Sequence, residues 1–133
     1  MMFVVLVLLS ILAQSAALTC FETDESTGEI KEVTNDEWKY CVFIPQSNQL
    51  ITRVFGVGPE EDSTYVYENS FKQQDNFYKV LTVCIYEKFD LRPLSPRFAG
   101  PEFLFRCMCN YDRCNSHQTF SGFLAGVERD NRD

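Results

Sequence analysis

The sequence predicts a small, disulfide-rich all-β domain built on an antiparallel sheet, and three observations carry this prediction. Six cysteines follow a leader-like N-terminus, and an even cysteine count in an oxidising compartment favours three disulfides. Short segments rich in aromatic and β-branched residues are separated by turn residues, as antiparallel strands are. About 116 residues follow the leader, which is the usual length of one domain.

Residues 1–17 are predicted to be a secretory signal peptide. The apolar run at residues 3–12 is too short to span a bilayer, and the small residues 15–17 suit signal peptidase. A retained signal anchor is the alternative, because no basic residue precedes the run. No second long apolar stretch follows and the chain ends in ERDNRD, so neither a transmembrane helix nor a GPI anchor is expected. The mature chain is therefore expected to be secreted, with a domain at 18–115 and a tail at 116–133.

The segment up to residue 44 is predicted to contain a strand, a loop and a second strand. Residues 18–22 are the first strand. Residues 24–35 are polar and contain a glycine, which favours a loop. Residues 38–44 alternate in the manner of a strand with two distinct faces. One face carries Trp38, Tyr40, Val42 and Ile44.

The middle of the chain is predicted to be less regular. Residues 50–55 are a strand that ends at a glycine-rich turn, and an acidic turn at 60–62 leads to a possible strand at 64–67. Residues 68–76 are polar and allow either a loop or a helical turn.

The last part of the domain contains the longest β-favouring run, at residues 77–86, then a loop with three prolines at 91–101 and a final strand at 103–110. The tail is expected to be either a short helix or disordered, because its apolar residues have the spacing of one helical face but two glycines interrupt them. Those apolar residues are Phe120, Phe123, Leu124 and Val127.

Two motifs mark the ends of the domain: Leu18-Thr19-Cys20-Phe21 opens it, and Cys109-NYDR-Cys114-Asn115 closes it. Together with the gap from Cys20 to Cys41, they resemble the three-finger superfamily of snake toxins, lymphocyte-antigen/urokinase-receptor domains and activin-receptor ectodomains. The resemblance implies a three-finger antiparallel sheet and a structural role for Asn115, whose amide would tie strands together. Of fifteen possible pairings, it implies the bridges Cys20–Cys41, Cys84–Cys107 and Cys109–Cys114.

The chain departs from the three-finger pattern in three respects. It lacks both cysteines of the family's other core bridge. Met108 separates two cysteines that are commonly adjacent, so a bulge or twist is expected to aim Cys107 and Cys109 apart. The 42 residues between Cys41 and Cys84 are long for a second finger, and an extra hairpin or helical turn is expected there.

Charge and composition disfavour several classes of function. A net charge of −7 argues against nucleic acid or an anionic membrane as a partner. The only histidine, His117, lies outside the cysteine cluster, so neither a zinc site nor any other cofactor is expected. The HExxH, GxSxG and P-loop motifs do not occur, and an enzyme is not expected.

The sequence therefore predicts a non-catalytic module that binds an extracellular protein, such as a receptor, channel or growth factor, through its loops. A self-associating structural or matrix protein is the alternative. The candidate contact is the segment at residues 89–101, where prolines stiffen a mixture of apolar and arginine side chains. A loop folded back on its own sheet would have the same composition. The predicted contact residues are Leu91, Arg92, Leu94, Arg97 and Phe98.

Overall fold

The computed structural model describes residues 16–48, 50–59 and 64–133, so most of the predicted leader and the predicted acidic turn at 60–62 lie outside it. Three antiparallel hairpins follow one another along the chain, and two helices accompany them. The strands are β1 (Leu18–Thr23), β2 (Ile30–Asn35), β3 (Tyr40–Ile44), β4 (Arg53–Val57), β5 (Thr82–Phe89) and β6 (Glu102–Cys109), and the helices are α1 (Tyr65–Phe71) and α2 (Phe120–Asp130). This architecture confirms the predicted small, disulfide-rich all-β fold class with antiparallel sheets and a C-terminal helix.

The second and third hairpins form one four-stranded sheet in the order β4-β3-β6-β5, and the first hairpin, β1-β2, is a separate two-stranded sheet. β3 is central, because it pairs with β4 along its whole length and with β6 through three residue pairs. All five residues of β3 are buried, which requires that both faces of the four-stranded sheet are covered.

Different elements cover the two faces of the four-stranded sheet. On one face, here called the α2 face, Phe43 and Cys107 pack with α2 and with β1, and the rings of Phe43 and Phe123 stack at 4.7 Å. On the opposite face, here called the α1 face, Val42 and Met108 pack with Tyr67 of α1. The domain therefore has two small cores that share the central strand.

The α1 face also buries an ion pair. Arg106 is 1% exposed, and its guanidinium donates to both carboxylate oxygens of Glu87 on β5, at 2.7 and 3.1 Å. The Tyr67 ring lies 5.4 Å from the same guanidinium. Both charges are thus compensated where the sheet is covered, as buried ionised groups must be.

All six cysteines are paired, and the predicted pairing Cys20–Cys41, Cys84–Cys107 and Cys109–Cys114 is confirmed. The expected bulge between Cys107 and Cys109 is not found, because the β5–β6 ladder is continuous through both residues. The two cysteines instead differ in what lies opposite them. Cys107 faces Cys84 on the next strand, whereas Cys109 ends β6 and is reached by Cys114 from the following turn.

Asn115 is fully buried beneath this turn and contacts three strands. Its Oδ1 accepts a hydrogen bond from the N–H of Phe21 at 2.9 Å. Its Nδ2 donates to the carbonyls of Phe21 and Val42 at 3.0 and 2.9 Å, and more distantly to that of Phe55 at 3.5 Å. The amide thereby joins β1 to β3 and β4, although β1 shares no strand ladder with either of them.

Two segments differ in type from the prediction. The end of the predicted loop at 24–35 is β2. The strand forms by pairing with β1 and has no fully buried residue, so its mostly polar sequence did not indicate it. The possible strand at 64–67 is instead the start of α1. The helix satisfies two contacts one turn apart, since Tyr67 covers Arg106 and Phe71 stacks on Tyr40 at 5.2 Å.

Two other segments differ in position. The predicted strand at 77–86 is displaced, because β5 begins at Thr82 where the ladder with β6 begins. Trp38 does not share a face with Tyr40, Val42 and Ile44. It precedes β3 and packs in the core on the α2 face, against Gly56. A Cβ added to Gly56 would lie 2.2 Å from the indole ring.

The tail forms α2, which resolves the two predicted alternatives in favour of a helix. Thr119 caps it by accepting the Gly122 N–H at 3.1 Å. Phe123 and Val127 are buried on the α2 face, as the spacing predicts. The glycines that weaken the helical pattern make room for His117, because a Cβ on Gly126 would lie 2.2 Å from the imidazole Nε2.

Replacement Gly126→Ala is expected to destabilise the domain by about 1–2 kcal/mol, because the methyl group overlaps the His117 ring and forces it to move. This net loss combines an overlap that costs about 2–3 kcal/mol with the gain of about 1 kcal/mol that alanine brings to a helix interior. In a His117→Ala background, the same replacement is expected to be stabilising. Urea denaturation of the four proteins of this cycle measures the coupling, and a Gly126→Ala protein more stable than the wild type would contradict the contact.

Candidate binding surface

The third hairpin comprises β5, the loop at 90–101 and β6, and it extends beyond the rest of the four-stranded sheet. β5 and β6 pair through eight consecutive residue pairs, from Thr82 with Cys109 to Phe89 with Glu102. β3 pairs only with the C-terminal end of β6, and its outermost pair is Phe43 with Cys107. The half of the hairpin beyond that pair is therefore supported by its own ladder.

All five predicted contact residues lie in the loop at the tip of this hairpin. Leu94 is 79% exposed and Phe98 is 39% exposed, whereas Leu91 is half-buried. The Leu91 carbonyl accepts the N–H of Leu94 at 2.9 Å, and a further turn joins Phe98 to Ser95 at 3.3 Å. Two consecutive turns thus hold apolar side chains outward instead of against the sheet.

The two arginines of the loop differ in their surroundings. Arg92 donates from Nε to Asp90 Oδ1 at 2.8 Å, and its second nitrogen contacts the other carboxylate oxygen. This hydrogen bonding lowers the pKa of Asp90 and raises the pKa of Arg92. Arg97 is exposed, and no carboxylate in the described part of the chain pairs with it. Arg92 therefore helps to shape the loop, and Arg97 is available to a partner.

An aromatic patch, which the sequence reasoning did not identify, continues from the loop along the α2 face. It consists of Tyr86, Phe103, Phe105 and Phe120. Tyr86 and Phe103 are 70% and 52% exposed and stack at 6.0 Å. Phe105 meets Phe120 edge to face at 5.3 Å, so the patch adjoins the first turn of α2.

A signal for the patch was present in the sequence. Phe103 and Phe105 share parity with Cys107 and Cys109, and Tyr86 shares parity with Cys84. The pattern assigns them to one face, but burial of that face depends on how far α2 extends. Because α2 begins at Phe120 and covers only the end of the sheet near the disulfides, the outer aromatics remain exposed.

A groove separates the third hairpin from the segment that follows β3. Its volume is about 410 Å³, and no charged side chain lines it. The lining residues are Ile44, Pro45, Gln46, Ser47, Asn48, Leu50, Tyr86, Phe103, Leu104 and Phe105. In a chain in which 23% of residues are charged, an uncharged groove of this kind is suited to an apolar or neutral ligand segment.

The acidic first hairpin offers less to a partner, because several of its carboxylates are engaged within the domain. Glu25 pairs with Arg53 and Glu32 pairs with Arg113. Asp24 accepts hydrogen bonds from Ser26 and Thr27, and the bond from the Ser26 hydroxyl is the main cause of its lowered pKa. These contacts within the domain make the first hairpin a weaker candidate for a partner surface than the third.

A second group of exposed aromatics lies before β5. Phe77 and Tyr78 occupy a turn in which Asp75 Oδ1 accepts both of their N–H groups, at 2.7 and 2.8 Å. Both rings are exposed. This turn presents only two adjacent side chains, whereas the third hairpin presents a continuous surface.

Chemistry-bearing groups are sparse in the described residues. They contain no cluster of histidine, cysteine and acidic residues that could hold a metal ion. His117 packs against α2, with its buried Nε2 lacking a hydrogen-bond partner. No helix of the described part is both long and apolar enough to cross a bilayer.

A protein-family model matches most of the chain. The model of DUF5354, described as a family of unknown function, matches residues 10–127. No curated protein and no solved structure matches the chain.

Proposed function

Because this chain belongs to the DUF5354 family, whose function is unknown, we propose a function from its own residues. It is a secreted, non-catalytic module that engages an extracellular protein, such as a receptor, channel or growth factor, through the third hairpin. In this proposal the chain is also a divergent member of the three-finger superfamily. Three successive hairpins, the disulfide pairing and the position of Asn115 support that kinship.

The observation that carries the proposal is the continuous exposed surface of the third hairpin. Leu94, Arg97 and Phe98 at its tip adjoin the strands that bear the aromatic patch. Aromatic and arginine side chains dominate the binding energy of protein interfaces, and a rigid presentation lowers the entropy lost on binding. The two turns of the loop and the Arg92–Asp90 contact provide that rigidity.

The chemistry of the cysteines supports secretion. Four of the six are completely buried and all are bridged, a state that persists in oxidising compartments. The apolar N-terminal run supplies the matching export signal. Expression in mammalian cells, followed by N-terminal sequencing of protein recovered from the medium, tests cleavage near residue 17.

The triple replacement Leu94→Ala, Arg97→Ala and Phe98→Ala is expected to weaken partner binding at least about tenfold, or about 1.4 kcal/mol. Arg92 is left in place because it holds Asp90 and the loop. The partner is first sought by screening extracellular proteins displayed on cells with the biotinylated mature chain, made tetravalent by binding to streptavidin. Affinities of the variants are then measured by surface plasmon resonance.

The matched control replaces Glu29, Asp36 and Glu37, three exposed carboxylates of the first hairpin and of the turn that follows it, with alanine. Asp24 is spared because it caps its own turn. The control is expected to change mainly the association rate and its salt dependence. If the control loses more affinity than the hairpin variant while both melt like the wild type, the proposed face is wrong. The turn with Phe77 and Tyr78 would then be the next surface to replace.

A further inference from the structure

The main chain of β6 has an open edge in its outer half. Cys84 and Cys107 lie directly opposite each other with Cα atoms 4.0 Å apart, which is the spacing of a non-hydrogen-bonded antiparallel pair. Hydrogen-bonded and non-hydrogen-bonded pairs alternate along such a ladder. The pairs of Tyr86 with Phe105 and of Lys88 with Phe103 are therefore also non-hydrogen-bonded.

It follows that the N–H and C=O groups of Phe103 and Phe105 point away from β5, towards the side on which β3 lies. β3 does not receive them, because its ladder with β6 stops at the pair of Phe43 with Cys107. Pro45 follows the end of β3 and has no N–H, which explains why the strand does not continue. No strand of the described residues pairs with this edge.

The uncharged groove described above, between β6 and residues 44–48 and 50, opens onto this same edge. Two main-chain donors and two acceptors thus face a space lined by Tyr86, Phe103 and Leu50 on its flanks. Main-chain groups at a regular spacing, with side chains above and below them, are what an added β-strand requires.

We propose that this groove receives an extended segment of the protein partner, which adds as a strand to the open edge of β6. The inference rests on the proposed function and specifies how the third hairpin would bind. Alternate side chains of the segment would lie on the aromatic patch, so they are expected to be apolar. Lys88 is exposed and lies opposite Phe103, whose side chain lines the groove, and its ammonium group favours an acidic residue next to the apolar positions.

The probe for this proposal is a phage-displayed library of random linear peptides about ten residues long, the upper range of ordinary strands. It is selected against the biotinylated mature chain with its disulfides intact. The enriched peptides are expected to alternate apolar residues and to carry an acidic residue. On binding, they are expected to slow hydrogen exchange of the Phe103 and Phe105 amides at least about tenfold, whereas the Leu104 amide, already bonded to β5, changes little.

A second measurement uses only chemical changes in the peptide, so it does not depend on the folding of a variant. Each main-chain nitrogen of the best peptide is methylated in turn. Strand addition predicts that methylation at every second residue weakens binding about tenfold or more, while the intervening positions tolerate it. A scan without this period of two, protection located elsewhere, or a library that enriches no peptide would overturn the proposal.

Two further outcomes separate this inference from the proposed function. If a captured partner depends on Leu94, Arg97 and Phe98 but leaves the Phe103 and Phe105 amides unprotected, strand addition is wrong and the binding function stands. If analytical ultracentrifugation finds a dimer in which those two amides are protected, the occupant is a second copy of the chain. That result would overturn the proposed partner segment and favour the self-associating alternative.

Discussion

Reduction of the three disulfides is expected to unfold the domain in the absence of denaturant. The bridges close loops with sequence separations of 21, 23 and 5 residues. In the loop-entropy description, the two longer loops contribute about 3 kcal/mol each and the shortest about 2 kcal/mol. Their total is comparable to the entire stability of a typical domain, which lies between about 5 and 15 kcal/mol.

The structure adds a second reason for this sensitivity. Cys20, Cys41, Cys107 and Cys109 are completely buried in one core, where Cys20–Cys41 joins the first hairpin to the central strand. The two-stranded sheet β1-β2 and the four-stranded sheet share no ladder. Within the described residues, this bridge is therefore the only covalent link between the two sheets besides the main chain. Loss of the bridge should therefore release the first hairpin before the third.

Circular dichroism melts with and without a phosphine reductant measure the effect, and paired alanine variants apportion it. Replacement of Cys20 and Cys41 is expected to cost about 3 kcal/mol, against about 2 kcal/mol for Cys109 and Cys114. The control is the oxidised chain treated with the alkylating reagent but without reductant, which separates the effect of reduction from that of the reagent. A reduced and alkylated chain that still melts cooperatively would mean that the two hydrophobic cores suffice without the bridges.

Asn115→Ala is expected to lower the free energy of unfolding by about 3 kcal/mol, the upper end of the range for leaving buried polar groups unsatisfied. The replacement removes the partner of the Phe21 N–H and a donor to the carbonyls of Phe21 and Val42. Because Asn115 is fully buried, water cannot substitute for its amide without opening the packing between the two sheets.

Asn110→Ala provides the matched control, since Asn110 is exposed at the other end of the same turn. It is expected to change stability by less than about 0.5 kcal/mol, as surface replacements usually do. Guanidinium denaturation of both variants measures the difference. Equal midpoints would show that the connection of β1 to β3 and β4 does not depend on the Asn115 amide.

Several elements were predictable because a local pattern was sufficient to specify them. The apolar spacing in the tail indicated a helix as one of two alternatives, and Phe123 and Val127 of α2 are buried as that spacing requires. The proline-containing loop at 91–101 lies between two strands, as turn residues between β-favouring runs predict. The cysteine pairing and the burial of Asn115 also agree with the sequence, but through resemblance to a known pattern and not through local physics.

The elements that were missed depend on partners distant in the chain. β2 is a strand because it pairs with β1, so its residues can be mostly polar. Polar residues on an exposed sheet carry no periodic signal. α1 contains β-branched and aromatic residues, yet it is helical because Tyr67 and Phe71 must reach Arg106 and Tyr40 across the sheet. Tertiary contacts override weak intrinsic propensities in both cases.

For the candidate site, the sequence by itself determined which residue types could meet a partner, and it located the tip loop with Leu94, Arg97 and Phe98. Only the tertiary structure decided that Tyr86 and Phe103 are exposed and that the edge of β6 is open. The parity of a strand assigns a side chain to a face, but it does not indicate whether another element covers that face. Here α2 extends over the sheet no further than its first residue, Phe120, and β3 ends at Ile44. Because neither element reaches the outer half of the third hairpin, that half remains uncovered.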